Sequence, residues 1–382
     1  MKTGAWQGTA LRAALILWAA SLFLSVACEQ KNQSECQTDS DCPLGEACLN
    51  AQCFSGKQEE VDAGTSEKED GGETNSDEFQ APADEEQTTV EGEEIVQADW
   101  GSGSSQAGRV EREEGNSEGP MSFALGADAK VYLLDQSNER VLVFADHNLV
   151  ASIAIPGSTF DDIDVDGAGR ILLLDRLVGK KVVLLNADGS LQGEVGLAGS
   201  GIPETGGVSA VFFHADGAWV EYDSRYLVRV AGPDGMPDLE RPVVSGRFSS
   251  DGSSLLSASL MGEFTFNLQS LPVGSATGGR STEVLFELPV MNLSLLASDE
   301  LDRVFLGAHL IREDEQEPFD VLEERIEIVV LGNDLVTEQN RLSLPVATTD
   351  LELFRPLRVA ANGDIYLLAF DETGVSVRRY GS

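Results

Sequence analysis

Cysteines, paired carboxylates and histidines are the residues whose chemistry spacing can reveal. All five cysteines fall between Cys28 and Cys53. Cys36, Cys42, Cys48 and Cys53 are spaced C-x5-C-x5-C-x4-C. An even number of thiols in so short a stretch, if exported, predicts two disulfides in any of three connectivities, among which the spacing does not choose. Structural zinc is the other use of such a set, but it favours closer knuckles. Asp162-x-Asp164-x-Asp166-Gly167 opens with the spacing of a calcium loop. Such a loop needs a bidentate Glu at its twelfth position, where this chain has Leu173, so strand–turn–strand is the reading instead. His147, His214 and His309 follow no metal spacing. Glu221 stands inside an apolar strand, and Asp135 and Asp175 end two others. Acids so placed usually cap turns or pair with arginine, here Arg140 or Arg176. There is no nucleophile elbow, phosphate loop or dinucleotide fingerprint. The sequence therefore assigns no catalytic residue, no metal ligand and no cofactor.

The cysteines imply export only through what precedes them. Lys2 and Arg12 lead into an apolar run from Ala13 to Ala27. That suits the core of a signal peptide over residues 1–27 and is short of the ~20 residues a spanning helix needs. The run ends Leu24-Ser25-Val26-Ala27-Cys28. This resembles a bacterial lipobox, with Ser25 where leucine is usual. The resemblance implies that Cys28 is acylated and becomes the N-terminus; ordinary cleavage nearby, or an uncleaved anchor, is the alternative. Glu29-Gln30 follow, in place of the aspartate that marks inner-membrane retention in enteric bacteria. By that analogy the destination is the outer membrane, at its periplasmic face or the cell surface. Residues 28–54, with Asp41-Cys42-Pro43, resemble the small Cys-rich modules that follow lipoboxes in myxobacterial surface proteins. They also resemble part of the Dickkopf cysteine-rich pattern.

Charge separates the next segment. Lys and Arg total 26 against 65 Asp and Glu, a formal net charge of -39. That excludes phosphate-directed nucleic-acid binding and direct adsorption to anionic lipid. Residues 55–99 carry acidic runs such as Glu67-Lys68-Glu69-Asp70 and Asp84-Glu85-Glu86, with few apolar side chains. Such a segment cannot offset the ~1–2 kcal/mol of backbone entropy each ordered residue costs. It predicts a disordered acidic linker, a spacer between membrane and domain.

The elements that must position any site begin at residue 100. Val131-Tyr132-Leu133-Leu134-Asp135 and Ile171-Leu172-Leu173-Leu174-Asp175 end 40 positions apart and are apolar in both phases. Strands like these are expected where sheets stack on both sides. Asp166-Gly167, Asp188-Gly189, Asp216-Gly217, Asp251-Gly252 and Asn362-Gly363 read as hairpin turns needing positive φ. Further echoes follow at Val208–Glu221 and Leu357–Leu368, whereas 240–345 departs from the pattern. Glu313–Glu324 reads as a polar loop insertion. A repeat of about 40–45 residues with several short strands is the signature of propeller blades. Gly119-Pro120, Asp135-Gln136-Ser137-Asn138-Glu139-Arg140-Val141 and Asp188-Gly189 resemble NHL repeats and six-bladed propellers. The fold class is all-β: a six-bladed β-propeller over 100–382, with a sandwich or incomplete solenoid as alternatives. Trp100-Gly101-Ser102-Gly103 resembles the loop and strand that open such a repeat, which could close the ring by pairing with the last blade.

Together these features predict a membrane-tethered cell-envelope lipoprotein whose propeller is a non-enzymatic binding or scaffolding module. Its partners would be the membrane, through the lipid, and a protein, peptide or glycan ligand. The alternative is a propeller enzyme, a metal-assisted hydrolase or lyase with its site in the central channel.

Overall fold

The computed structural model describes residues 46–49, 52–55 and 91–381, except 113, 128, 276, 315, 317 and 347–350. The signal peptide, Cys28, Cys36, Cys42 and the acidic linker up to residue 90 lie outside the described residues. In the N-terminal unit, β1 (Glu46–Leu49) and β2 (Gln52–Ser55) form an antiparallel hairpin that sets Cys48 opposite Cys53 in backbone register. The cysteine pairing stays open.

The second unit holds six antiparallel sheets of four strands each. The chain first lays down β3 (Glu93–Asp99) and then builds blade 1 from β4 (Phe123–Leu125), β5 (Val131–Asp135), β6 (Arg140–Ala145) and β7 (Asn148–Ala154). Blade 2 is β8 (Asp162–Val165), β9 (Ile171–Asp175), β10 (Lys181–Leu185) and β11 (Leu191–Gly196). Blade 3 is β12 (Val208–His214), β13 (Gly217–Tyr222), β14 (Tyr226–Ala231) and β15 (Val243–Ser245). Blade 4 is β16 (Arg247–Phe248), β17 (Ser254–Leu260), β18 (Thr265–Pro272) and β19 (Arg280–Leu285). Blade 5 is β20 (Val290–Ser298), β21 (Val304–Glu313), β22 (Val321–Leu331) and β23 (Glu338–Leu344). Blade 6 takes β24 (Leu357–Val359), β25 (Ile365–Phe370) and β26 (Gly374–Tyr380) from the C-terminus, and β3 as its outermost strand.

The ring is therefore closed by Glu93–Asp99, with Val96 opposite Val377 and Asp99 opposite Gly374. Trp100-Gly101-Ser102-Gly103 form the loop after that strand, not the strand itself. Residues 93–99, which the sequence assigns to the acidic linker, belong to the sheet. Two further expectations change. Glu313–Glu324 is largely not a loop, because β21 and β22 run on as one long hairpin with Glu313 opposite Val321. In the turn after β8, Gly169 and not Gly167 carries the positive φ, at 78°. Its N–H donates to Asp166 O at 2.9 Å, so the left-handed position falls on the fourth turn residue.

Strand alternation explains how the sheets stack. In β9, Ile171 and Leu173 pack into one apolar cluster with Tyr132 and Leu134 of blade 1. Leu172 and Leu174 pack on the other side with Val211 and Val220 of blade 3. Successive side chains point to opposite faces, so a strand apolar in both phases fills two interfaces. Comparable clusters join blades 4 and 5, 5 and 6, and 6 and 1. The seam between blades 3 and 4 is built differently. There Trp219 meets Phe248 edge-on at 5.2 Å, and Arg247 reaches the buried Glu221. No helix among the described residues is long and apolar enough to cross a membrane.

Candidate functional site

The six inner strands surround a central cavity of about 940 Å³. Each contributes to its wall: Leu125 from β4, Asp164 from β8, Phe212 from β12, Arg247 from β16, Leu296 from β20 and Arg358 from β24. Backbone register puts ionisable side chains there. Asp164, Arg247 and Arg358 each sit two residues before the carbonyl that opens the next turn, at Asp166, Ser249 and Ala360. Because β8 alternates, Asp162 and Asp164 leave one side of it while Ile163 and Val165 enter the core.

Asp162 is the hub. It is fully buried. Arg358 Nη2 donates to Oδ1 at 3.0 Å and Arg355 Nη1 to Oδ2 at 3.2 Å. The Ser122 hydroxyl donates to Oδ1 at 2.5 Å and the Val211 N–H to Oδ2 at 3.0 Å. Burial alone would raise the Asp162 pKa; the two guanidinia and these donors outweigh it and hold the carboxyl below its usual range. Arg358 is pushed down to about 9 by burial and then by the neighbouring Arg355. It still carries its charge at neutral pH.

A second pair stands on the blade 3–4 seam. Arg247 grips Glu221 with Nε at 2.5 Å and Nη2 at 2.9 Å, and Ser209 Oγ donates to the same carboxylate at 2.8 Å. These contacts overcome the burial that would raise Glu221, leaving its pKa lowered. Phe212 lies between two cations, with Arg355 4.3 Å and Arg247 5.5 Å from its ring centre. Asp164 is less well served. The Phe213 N–H donates to it at 2.7 Å, and burial raises its pKa even with Arg355 near.

His214 faces the channel with its ring stacked on Phe248 at 4.0 Å. Its Nδ1 is 2.6 Å from Asp216, which also takes hydrogen bonds from Trp219 Nε1 and Arg229.

Asp164 thus lines the channel and Asp162 is buried against Arg355 and Arg358, whereas Asp166 caps the turn and pairs with Arg170 at 2.7 Å. Strand and turn hold these residues, not a calcium loop. Asp135 binds Arg140 at 2.7 Å, as the sequence suggests. Asp175 caps Val178 and Gly179 N–H groups, and Arg176 pairs with Asp161 instead. Glu221 pairs with Arg247, a partner its local sequence does not indicate. His309 joins His214 on the wall, while His147 lies 3.9 Å from Glu93 on the outer rim. Among the described residues, no group of three or more His, Cys, Asp or Glu could hold a metal ion. Arg247, Arg355, Arg358 and Phe212 escape a motif search. Aligning the repeats on their turns would have exposed Asp164, Arg247 and Arg358 as charges at one recurrent inner position.

These sheets define the chain as a six-bladed β-propeller with a charged central channel. No protein-family model matches it, and no curated protein does. Among solved structures it is similar to a protein of unknown function from Bacteroides caccae, at 13% identity and a TM-score of 0.40, over 58% of this chain and 81% of that one. It is similar to a streptogramin B lyase at 9% identity and 0.38, over 71% and 97%. A chain of the mitotic checkpoint complex matches at 10% and 0.44, over 84% and 100%. Likenesses this distant assign no activity.

Proposed function

We propose that this chain is a cell-envelope lipoprotein, held to the membrane through acylated Cys28, whose propeller is a non-enzymatic binding module. The central channel is where it takes its ligand. One observation carries the reading: a cavity of about 940 Å³ walled by Arg247, Arg355 and Arg358, whose acid partners Glu221 and Asp162 are buried off the cavity lining. That volume suits a small-molecule or peptide-end ligand. Carboxylates held below their usual range by guanidinia are poor proton donors and acceptors near neutrality; they fix geometry. The N-terminal sequence supports the tether, with the acidic segment as its spacer.

The test uses the full chain. Cys28→Ala should move it from membrane to soluble fractions. A thermal-shift screen of peptides, saccharides and small acids should yield ligands that are lost in Ser294→Trp, which fills the channel wall. A ligand set indifferent to Ser294→Trp would overturn the reading.

An enzymatic alternative draws on His214, a channel histidine oriented by Asp216 at 2.6 Å, the arrangement of a general base. Turnover of a channel ligand that disappears in His214→Gln would favour it.

A further inference from the structure

The charges at one end of the channel do not close on themselves. Arg247 and Glu221 form a self-contained pair, but Arg355 and Arg358 share a single clamped carboxylate, Asp162. The neighbouring Asp164 has one backbone donor, and burial favours its protonated form. Donors are left over as well. Arg355 spends only Nη1, on Asp162 and Val211 O, and its Nε and Nη2 meet no acceptor among the described residues. Arg358 is 7% exposed, lines the cavity and has an Nε without a partner. A buried guanidinium left with open donors on a cavity wall is a costly arrangement unless something accepts from it.

We propose that the free edge of Arg355, beside Phe212, is a binding site for the carboxylate of a small organic acid. The inference rests on the channel-binding reading and adds the ligand's charge class. Nε and Nη2 of one guanidinium form a planar fork that matches two carboxylate oxygens. A monoanion sets one negative charge beside the already paired Asp162, whereas a phosphate dianion would set two there. Phe212, whose ring centre is 4.3 Å from the Arg355 guanidinium, also lines the cavity and gives the rest of the molecule an apolar neighbour.

The test is calorimetry on the full-length chain with benzoate, its neutral match benzamide, and phenyl phosphate as the dianion. Benzoate should bind at least about tenfold more tightly than either, a difference of ~1.4 kcal/mol. Arg355→Gln should erase the preference over benzamide. Arg355→Lys keeps a charge beside Asp162 but lacks the fork, so it should stay folded by circular dichroism and still lose the preference. Equal binding of benzoate and benzamide, unchanged benzoate affinity in folded Arg355→Lys, or no benzoate binding at all would each overturn the carboxylate site. The channel-binding reading would survive any of these if other ligands are found that Ser294→Trp abolishes, so the two failures are told apart.

Discussion

Arg358 reaches Asp162 across the ring at 3.0 Å, although 196 residues separate them. Arg355 approaches the same carboxylate from β24's N-terminal side. The hub therefore ties the last blade to the second, and it can form only when the ring has closed. Asp162→Asn keeps the shape and removes the counter-charge from two buried guanidinia. Removing one partner of a buried ion pair typically costs about 3–5 kcal/mol. Chemical denaturation of Asp162→Asn should show a loss of that size. An unchanged midpoint would mean that the two arginines do not depend on this carboxylate.

The stacking of blades makes a different prediction. Leu173 is fully buried between blades 1 and 2, and Leu191, on the outermost strand of blade 2, is 62% exposed. Leu173→Ala should cost about 2–5 kcal/mol through lost transfer energy and a cavity. Leu191→Ala should stay within about 0.5 kcal/mol of the parent. Equal effects in urea unfolding would contradict the interface described for β9.

Why the blades were legible and the channel was not follows from particular residues. Val131–Asp135 and Ile171–Asp175 announce sheets packed on both faces, because every position is apolar up to the closing acid. The closing strand hid itself. In Glu93–Asp99 only Val96 and Ala98 are buried, and the exposed Glu93, Glu94, Gln97 and Asp99 continue the composition of the acidic segment before it. The channel was hidden for another reason. Arg247, Arg355 and Arg358 look like solvent charges in or beside short strands; Glu221 is brought to Arg247 by the packing of neighbouring blades and Asp162 to Arg355 and Arg358 by ring closure, not by local spacing. Asp162 and Asp164 stand out in the sequence for a calcium-loop pattern; strand alternation puts both on one side of β8, Asp164 on the channel wall and Asp162 buried against Arg355 and Arg358.

Asp161 predicts a pH effect of definite sign. Burial raises its pKa from 3.8 to about 6, against the opposing pull of the Arg176 N–H and guanidinium. A carboxyl whose folded pKa lies above its unfolded one binds its proton more tightly in the native state. Its stabilising contribution is complete below pH ~4 and is lost as pH rises through about 6. The shift corresponds to about 3 kcal/mol. Asp161→Asn cannot ionise, so the stability difference between Asp161→Asn and the parent should grow in favour of the variant from pH 4 to pH 7 and then level off. A difference that stays flat over that range, measured by urea midpoints, would remove Asp161 as a source of pH dependence.

Ring closure supplies the last prediction. The outer edge of β26 is covered by β3, with Val377 against Val96 and Val375 against Ala98. These four side chains are almost fully buried, and they belong to the apolar cluster joining blade 6 to blade 1. A fragment of residues 100–382 would lack β3. It would leave a row of unpaired N–H and C=O groups on β26 and expose Val375 and Val377, the conditions under which a sheet edge pairs with another chain. A fragment of residues 91–382 restores the fourth strand, including the Arg379 pairing with Glu93. The longer fragment should give a cooperative unfolding transition and a monomeric elution volume. The shorter one should melt at lower temperature and self-associate. Identical melting and elution for the two would show that blade 6 does not need its N-terminal strand, and that the ring is held shut by the inner contacts of Asp162 with Arg355 and Arg358 alone.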